Sequence, residues 1–146
     1  PLSWSLFLNG NQTEDIVELR NLLEVKAAAL AATCTNQEKA NKLEEIAMRM
    51  QKSFETKNYK EFLQDDIVFH TCIAECSGNQ VIFNMLQTIR NFMKHISQTG
   101  MVDEIQLEEI YKEHQLIYNA IREQNSELAE KAMNVHMQKS SKRYNY

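Results

Sequence analysis

An aspartate and three histidines are spaced so that predicted helices would bring their side chains together. Asp66 and His70 are four residues apart and therefore share one face of a helix. His114 and His136 each lie eleven residues from Asn125, which is typical of the start of a tight turn. At about 1.5 Å of rise per residue, both imidazoles would sit roughly 16 Å from that bend, at the same height. One carboxylate and three imidazoles converging inside a helical bundle predict a metal site.

The surroundings of the aspartate–histidine pair decide between a surface ion pair and an inward-facing site. Alone, an Asp–His pair at this spacing is commonly a modest ion pair on a helix surface. Here Phe62, Phe69 and Ile73 flank the pair, which turns it toward the core. Buried ionisable groups are costly unless they are paired or bound to metal. A single inward histidine is more often a core residue than a ligand, but three of them with an aspartate favour metal binding.

The ligand types limit the metal without selecting one. A carboxylate and three neutral imidazoles suit Zn²⁺, Ni²⁺, Mn²⁺ or Fe²⁺, and zinc is the first expectation. Four protein ligands would complete a tetrahedral zinc site. An octahedral ion would instead keep two positions for water or for the carboxylate of a ligand.

Length and composition predict one all-α domain. The chain has 146 residues, 3 glycines and 1 proline, which is residue 1, and it is rich in good helix formers. The pattern predicts an antiparallel bundle of about six helices enclosing the metal site. Five of the predicted helices span residues 14–33, 36–57, 80–97, 103–123 and 126–140, and another lies between Asn58 and the stop at Gly78.

The apolar residues also predict which helix faces are buried. The first helix is expected to bury Ile16, Leu19, Leu23, Ala27 and Leu30, with Arg20 beside this stripe. The last helix is expected to bury Leu128, Ala132, Val135 and His136. Thr35 and Glu38 have the spacing of a capping box at the start of the second helix.

Charge and hydropathy exclude two classes of partner. The formal net charge is −4, which argues against nucleic-acid binding by this segment itself. The basic cluster Lys139, Lys142 and Arg143 is expected to be a solvated C-terminus. No membrane partner is expected, since the most apolar stretch, Val25 to Cys34, is too short to cross a bilayer and contains Lys26.

The three cysteines predict reduced thiols in a cytoplasmic protein. Their number is odd, and no secretory signal precedes them. Cys72 and Cys76 are spaced to hold zinc in principle, but they lie about 200° and 240° around the helix from His70. They therefore cannot join the histidine cluster and are expected to be buried thiols.

Three blocks of sequence, taken in their order and spacing, resemble a known family. The first is RNLLE at 20–24 followed by VKAAALAA at 25–32, and the second is DIVFHTCIAECSGN at 66–79. The third is EHQLIYNAI at 113–121 followed by AEKAMNVH at 129–136. From residue 14 to residue 138 the chain resembles the C-terminal effector-binding (FCD) domain of the FadR branch of GntR-type bacterial transcription regulators.

The resemblance implies roles for particular residues. It implies that the metal ligands are the Asp66, His70, His114 and His136 set, and that Arg20 faces the pocket and meets an acidic effector. A guanidinium fork could grip a carboxylate that also fills open metal positions. An ion pair between Arg20 and Glu24, four residues on, is the competing role for this arginine.

The resemblance also implies a domain organisation. Regulators of this kind carry an N-terminal winged helix that binds DNA, and this segment is expected to lack it. Residues 1–12 are expected to follow that missing domain, and residues 13–146 to form the effector-binding domain. Operator DNA would then be bound only through the missing domain, by a bacterial, cytoplasmic protein that is expected to be a homodimer.

These features favour a ligand-sensing domain and leave alternatives open. The expected effector is a small organic acid, a mono- or dicarboxylate, that modulates DNA binding by the parent protein. A metal-dependent hydrolase is the first alternative, but no general base is placed as in an H-E-x-x-H helix. Glu113 adjoins His114 but points about 100° away from it, so the chain is not expected to be an enzyme. Two other roles of the metal remain as alternatives: it only holds the helices together, or it is itself the signal.

Overall fold

The structure, a computed structural model, is helical throughout its regular elements. It describes residues 13–34, 36–96 and 103–144, of which 95 and 96 are described by their backbone alone. The predicted segment 1–12 lies outside the described residues. The six helices are α1 (Thr13–Cys34), α2 (Gln37–Glu55), α3 (Tyr59–Cys76), α4 (Gln80–Ile96), α5 (Glu104–Arg122) and α6 (Ser126–Arg143). The predicted all-α class and the six helices are confirmed.

Five of the helices form a closed ring around the core. In the order α1, α3, α2, α5 and α6, each helix packs against the next, and α6 packs back onto α1. Helix α4 packs on the outside of this ring, against α1 and α3. The ring interior is filled by large buried side chains, among them Phe62, Phe69, Ile73, Ile117 and Met133. None of the helices in the described ranges is long and apolar enough to cross a membrane.

The α2–α3 and α5–α6 turns share one backbone geometry. Lys57 and Gln124 each end a helix with a φ of 56°, in the left-handed region. Asn58 and Asn125 follow, and each side chain accepts a backbone N–H three residues on, which caps the next helix. The turn predicted around Asn125 is therefore present, and it brings the two histidines of the α5–α6 hairpin to the same height.

Two further predicted helix ends have different outcomes. Gly78 ends α3 with a φ of 70°, as the sequence predicted. At the start of α2 the cap is Asn36, whose side chain accepts the N–H of Lys39. Thr35, the predicted capping-box residue, lies outside the described residues.

The buried face of α1 differs from the predicted stripe. Leu19 is 37% exposed, whereas Ile16 and Ala27 are buried as predicted. Glu24 is also fully buried, and the helix buries five alanines: Ala27, Ala28, Ala29, Ala31 and Ala32. Alanines allow close approach of helix backbones, and α6 packs closely along α1. Because α1 is apolar on several sides, the hydrophobic pattern alone did not select this face.

The predicted face of α6 was also partly wrong. Leu128 and Val135 are exposed, at 44% and 42%, although His136 is buried as predicted. The buried positions of this helix are Ala129, Met133, His136, Met137 and Ser140. The buried face is therefore formed by His136 and the flexible methionines rather than by the larger branched residues.

Candidate metal centre

The four predicted ligands come together at the centre of the ring. Helix α3 carries Asp66 and His70, α5 carries His114, and α6 carries His136. One possible ligand atom from each lies within 4.8 Å of all the others. The three imidazoles are buried, whereas the Asp66 side chain is 29% exposed and gives the cluster one side facing solvent.

The distances between ligand atoms fit a single ion. Nε2 of His70 lies 3.1 Å from Nε2 of His136 and 3.3 Å from Nε2 of His114. Oδ1 of Asp66 lies 3.0 Å from Nε2 of His114 and 3.8 Å from Nε2 of His70. At metal–ligand distances of about 2.1 Å, neighbouring ligand atoms are about 3.0 Å apart in an octahedral site and about 3.4 Å apart in a tetrahedral one. Three of the four separations fall within this range, and the distance between Asp66 and His70 is longer.

Two glutamates orient two of the imidazoles from behind. Nδ1 of His70 lies 3.1 Å from Oε2 of Glu24, on α1. Nδ1 of His136 lies 2.7 Å from Oε2 of Glu113, on α5. A carboxylate that accepts the second ring N–H of a ligating histidine fixes both its tautomer and its orientation. Sequence reasoning did not assign either glutamate this role.

The two glutamates determine which nitrogen of His70 and of His136 carries the proton. Burial alone would raise the pKa of Glu24, but Arg90, His70 and Arg20 outweigh it and hold that pKa well below the usual range. An ionised carboxylate only accepts hydrogen bonds, so Nδ1 of His70 carries the proton and Nε2 carries a lone pair. The same argument holds for His136 and Glu113. Two lone pairs facing each other at 3.1 Å repel unless a cation lies between them.

Burial favours the neutral form of two of the imidazoles, His136 and His114. Burial lowers the pKa of His136 to about 4, against the opposing effect of its hydrogen bond to Glu113. Burial also lowers the pKa of His114, although the hydrogen bond to Asp66 opposes it. Burial would raise the pKa of Asp66, but the neighbouring imidazoles hold it well below the usual range. A carboxylate and neutral imidazoles are the protonation states that metal binding requires.

An arginine from outside the ring completes the environment of His70. Nη2 of Arg90, on α4, donates to Oε1 of Glu24 at 2.8 Å. Nη1 of Arg90 donates to Oγ1 of Thr71 at 2.7 Å. This pairing balances the buried charge of Glu24 and connects α4 to the centre through α1.

The second glutamate is held by the C-terminal end of α6. Arg143 donates to both carboxylate oxygens of Glu113, with 3.1 Å between Nη1 and Oε2. Nζ of Lys139 lies 3.3 Å from Oε1 of Glu113. These contacts lower the pKa of Glu113 to about 2, although burial opposes the shift. The expectation of a solvated basic C-terminus was therefore wrong for Arg143, whose side chain is only 7% exposed.

Arg20 lies beside Glu24 and keeps an unpaired donor. Its Nε is 3.9 Å from Oε1 of Glu24, so the predicted ion pair exists but is long, and Arg90 makes the closer contact to that oxygen. Nη1 of Arg20 is 3.9 Å from Sδ of Met93. Nε is buried and has no hydrogen-bond partner among the described residues.

The cysteines lie outside this cluster. Cys72 and Cys76 are buried and unbridged, as predicted, with 4.0 Å between their sulfurs, and Cys34 is exposed. The His/Asp cluster contains neither buried thiol.

Comparison with known families now identifies the fold. The FCD domain family model matches residues 15–139, which is most of the chain. The chain belongs to the FCD domain family. The resemblance inferred from its three sequence blocks is confirmed.

Two characterised relatives of this FCD domain are regulators of transcription. The HTH-type transcriptional regulator LutR of Bacillus subtilis (strain 168) is 25% identical over 142 residues, which cover 94% of this chain and 64% of LutR. The Glc operon transcriptional activator of Escherichia coli (strain K12) is 29% identical over 131 residues, covering 84% of this chain and 51% of the activator. The chain thus spans only part of the length of either relative. Both names describe regulators, in agreement with the expectation that the chain is not an enzyme.

Solved structures show the same fold. Streptococcus agalactiae GntR has a TM-score of 0.77 and 28% sequence identity, covering 97% of this chain and 64% of that protein. Escherichia coli McbR/YncC has a TM-score of 0.75 over 94% of this chain and 66% of that protein. Its identity is 17%, so this second likeness concerns the fold alone.

Proposed function

We propose that this FCD domain is the ligand-sensing part of a transcription regulator and holds one divalent metal ion, with zinc as the first candidate. The ligands would be Asp66, His70, His114 and His136. One observation carries the proposal: two imidazoles whose Nδ1 atoms are committed to carboxylates direct their lone pairs at each other, 3.1 Å apart. When bound, the ion would supply a positive charge and open coordination positions for an anionic ligand.

We propose a small organic acid, a mono- or dicarboxylate, as the effector. Arg20 supports this because its buried Nε has no partner among the described residues and lies 3.9 Å from Oε1 of Glu24, whose other oxygen contacts His70. A carboxylate could accept a bidentate hydrogen bond from this guanidinium while it neutralises the ion's charge. The side of the cluster at Asp66, the one partly exposed ligand, offers an approach.

The proposed regulatory role rests on the relatives that share this domain. LutR and the Glc operon transcriptional activator are longer than this chain, and both names describe transcriptional regulation. We propose that the parent protein carries an N-terminal winged-helix domain before this one, and that only this winged-helix domain binds operator DNA. We also propose that the parent protein acts in the cytoplasm as a homodimer. The acid would change operator affinity only by its differential affinity for two arrangements of the protein, typically about 1–3 kcal/mol.

Thermal unfolding of the metal-loaded domain with a panel of organic acids tests this function. Wild type should gain stability with at least one small mono- or dicarboxylate, because a ligand that binds only the folded state raises the melting temperature. Arg20→Ala should keep its metal content and lose most of that gain. Lys26→Ala, which removes an exposed charge from the same helix, is the matched control and should respond like wild type.

The panel also separates sensing from a purely structural metal, the second candidate. A structural role is favoured by the origin of the ligands, which come from three different helices. If metal raised the melting temperature but no acid in a broad panel raised it further, the metal would be structural and the effector proposal would fail.

A further inference from the structure

The third imidazole of the cluster has no carboxylate behind it. Nδ1 of His70 and Nδ1 of His136 each contact a glutamate. Nδ1 of His114 is buried and has no hydrogen-bond partner among the residues that the structure describes. When Nε2 of this ring binds a metal, Nδ1 must carry the proton, and a buried N–H without an acceptor is costly.

A cavity between α2 and α5 reaches this imidazole. Its volume is about 260 Å³, enough for a small organic molecule. Its buried lining is formed by Met50, Phe69 and His114, and its outer part by exposed residues that include Gln51 and Gln115. Since Nε2 of His114 faces the other ligands, Nδ1 lies on the opposite edge of the ring, away from them.

We infer that this cavity is a second ligand site, and that it takes a small carboxylic acid whose carboxylate accepts the Nδ1–H of His114. Glu24 and Glu113 show that a carboxylate is a suitable partner for the Nδ1–H of a ligating imidazole in this cluster. A carboxylate from solution would complete the set and orient His114 as Glu24 and Glu113 orient the other two rings. This site differs from the one proposed beside Arg20, because the acid contacts the imidazole and not the metal.

The second site would couple acid binding to metal binding. Partners behind a ligating histidine typically change metal affinity about 10- to 100-fold. The acid should therefore tighten metal binding by about 10-fold, and the metal should tighten acid binding by the same factor, because the coupling is reciprocal. This inference rests on the proposed metal site and adds a second position at which acid controls it.

Zinc affinity measured with and without acetate, by competition with a chromogenic chelator at constant pH and ionic strength, tests the inference. Wild type should bind zinc about 10-fold more tightly in saturating acetate. Ala47→Phe, which places a large side chain in the cavity, should bind zinc normally without acetate and lose the effect. Ala40→Phe makes the same change two turns earlier on α2, in the neighbouring groove, and should behave like wild type.

Arg20→Ala separates the two acid sites. The second site predicts that Arg20→Ala retains the acetate effect on zinc affinity. If Arg20→Ala lost the effect while Ala47→Phe kept it, acetate would act only at the metal and the second site would be refuted. Wild type that binds zinc with no acetate effect would refute this inference alone. Wild type that binds no zinc would refute the proposed metal site as well.

Nuclear magnetic resonance of the zinc-loaded protein with ¹⁵N-labelled histidine gives a readout that does not depend on the cavity variants. The Nδ1–H signals of His70 and His136 should be present with or without acetate, because the protein supplies their acceptors. The Nδ1–H signal of His114 should move downfield and exchange more slowly when acetate is added. An unchanged His114 signal in saturating acetate would contradict the inference.

Discussion

The cluster depends on groups that never touch the ion. Glu24 and Glu113 set the tautomers of two ligating imidazoles, and each glutamate is neutralised by an arginine, Arg90 in one case and Arg143 in the other. Glutamate and arginine are common on helix surfaces, but here both residue types are parts of the candidate site. Their contribution can be measured separately from that of the ligands.

Glu113→Gln should weaken metal binding by about 10- to 100-fold while the protein stays folded. The amide cannot hold the Nδ1–H of His136 as a carboxylate does, and it leaves Arg143 without its ion pair. Zinc titration by isothermal calorimetry measures the change. Glu108→Gln, an exposed change on the same helix, is the control, and equal affinities in the two variants would contradict the assigned role.

Glu24→Gln should destabilise the metal-free protein by about 3 kcal/mol, because it leaves the buried charge of Arg90 uncompensated. Urea unfolding monitored by circular dichroism gives the free energy of unfolding. Glu18→Gln, at an exposed position of α1, should change it by less than about 0.5 kcal/mol. A loss as small as that of Glu18→Gln would mean that the Glu24–Arg90 pair does not stabilise the fold.

The sequence predicted the ligating side chains but not their supporting partners. Histidine is rare in this chain, so three inward imidazoles and an aspartate could be recognised from spacing alone. Glutamate and arginine are frequent on helix surfaces, and no local pattern marks Glu24 or Glu113 as buried. Their partners Arg90 and Arg143 are 66 and 30 residues away in sequence, so only tertiary packing brings them together.

Helix ends explain how the ligating residues come into register. In both αα-hairpins a residue with positive φ precedes a capping asparagine, so the turn closes in the same way each time. Neither left-handed position, Lys57 nor Gln124, is a glycine, so each carries a conformational cost. The α5–α6 turn matters most for the site, because it joins the helices of His114 and His136.

Gln124→Gly should stabilise the protein by up to about 1 kcal/mol, because glycine adopts the left-handed conformation without a steric cost. Glu123→Gly, one residue earlier at a φ of −78°, should instead destabilise it by a similar amount. Paired thermal unfolding curves distinguish the two changes. A lower melting temperature for Gln124→Gly would show that the glutamine makes a compensating contact.

The helices were more predictable from sequence than their buried faces. Caps and breakers such as Asn58, Gly78 and Asn125 act locally, so the six helices and their turns were predicted close to their observed bounds. The buried faces of α1 and α6 depend on which neighbour each helix meets. Leu19 and Val135 are exposed, whereas the alanines of α1 and the methionines of α6 lie in the core, where the two helices pack together.

The molecule as a whole is a ring of helices closed around a cluster that draws on α3, α5 and α6. In the ring, α5 and α6 pack against each other, whereas α3 packs against α1 and α2, so an ion bound between the three helices would link distant parts of the chain. Binding energy at such a site is also folding energy. A sensor built in this way would couple its stability directly to occupancy of the centre.

Removal of metal should therefore lower the stability of the whole domain. At a free zinc concentration 100 times the dissociation constant, wild type should be stabilised by about 2.7 kcal/mol relative to the same protein in chelator. Differential scanning calorimetry with and without chelator measures the change. The double variant His114→Ala and His136→Ala lacks two proposed ligands, and its melting temperature should not depend on zinc. A zinc effect of equal size in the double variant would place the stabilising ion elsewhere.

The central claim is that one divalent ion is held by Asp66, His70, His114 and His136. Native mass spectrometry of the purified domain, paired with elemental analysis, tests it most directly. Wild type should carry one zinc, nickel, manganese or iron ion per chain, and the His114→Ala and His136→Ala double variant should carry none. A wild-type mass without metal after incubation with excess zinc or nickel, or a full complement of metal in the double variant, would contradict the claim.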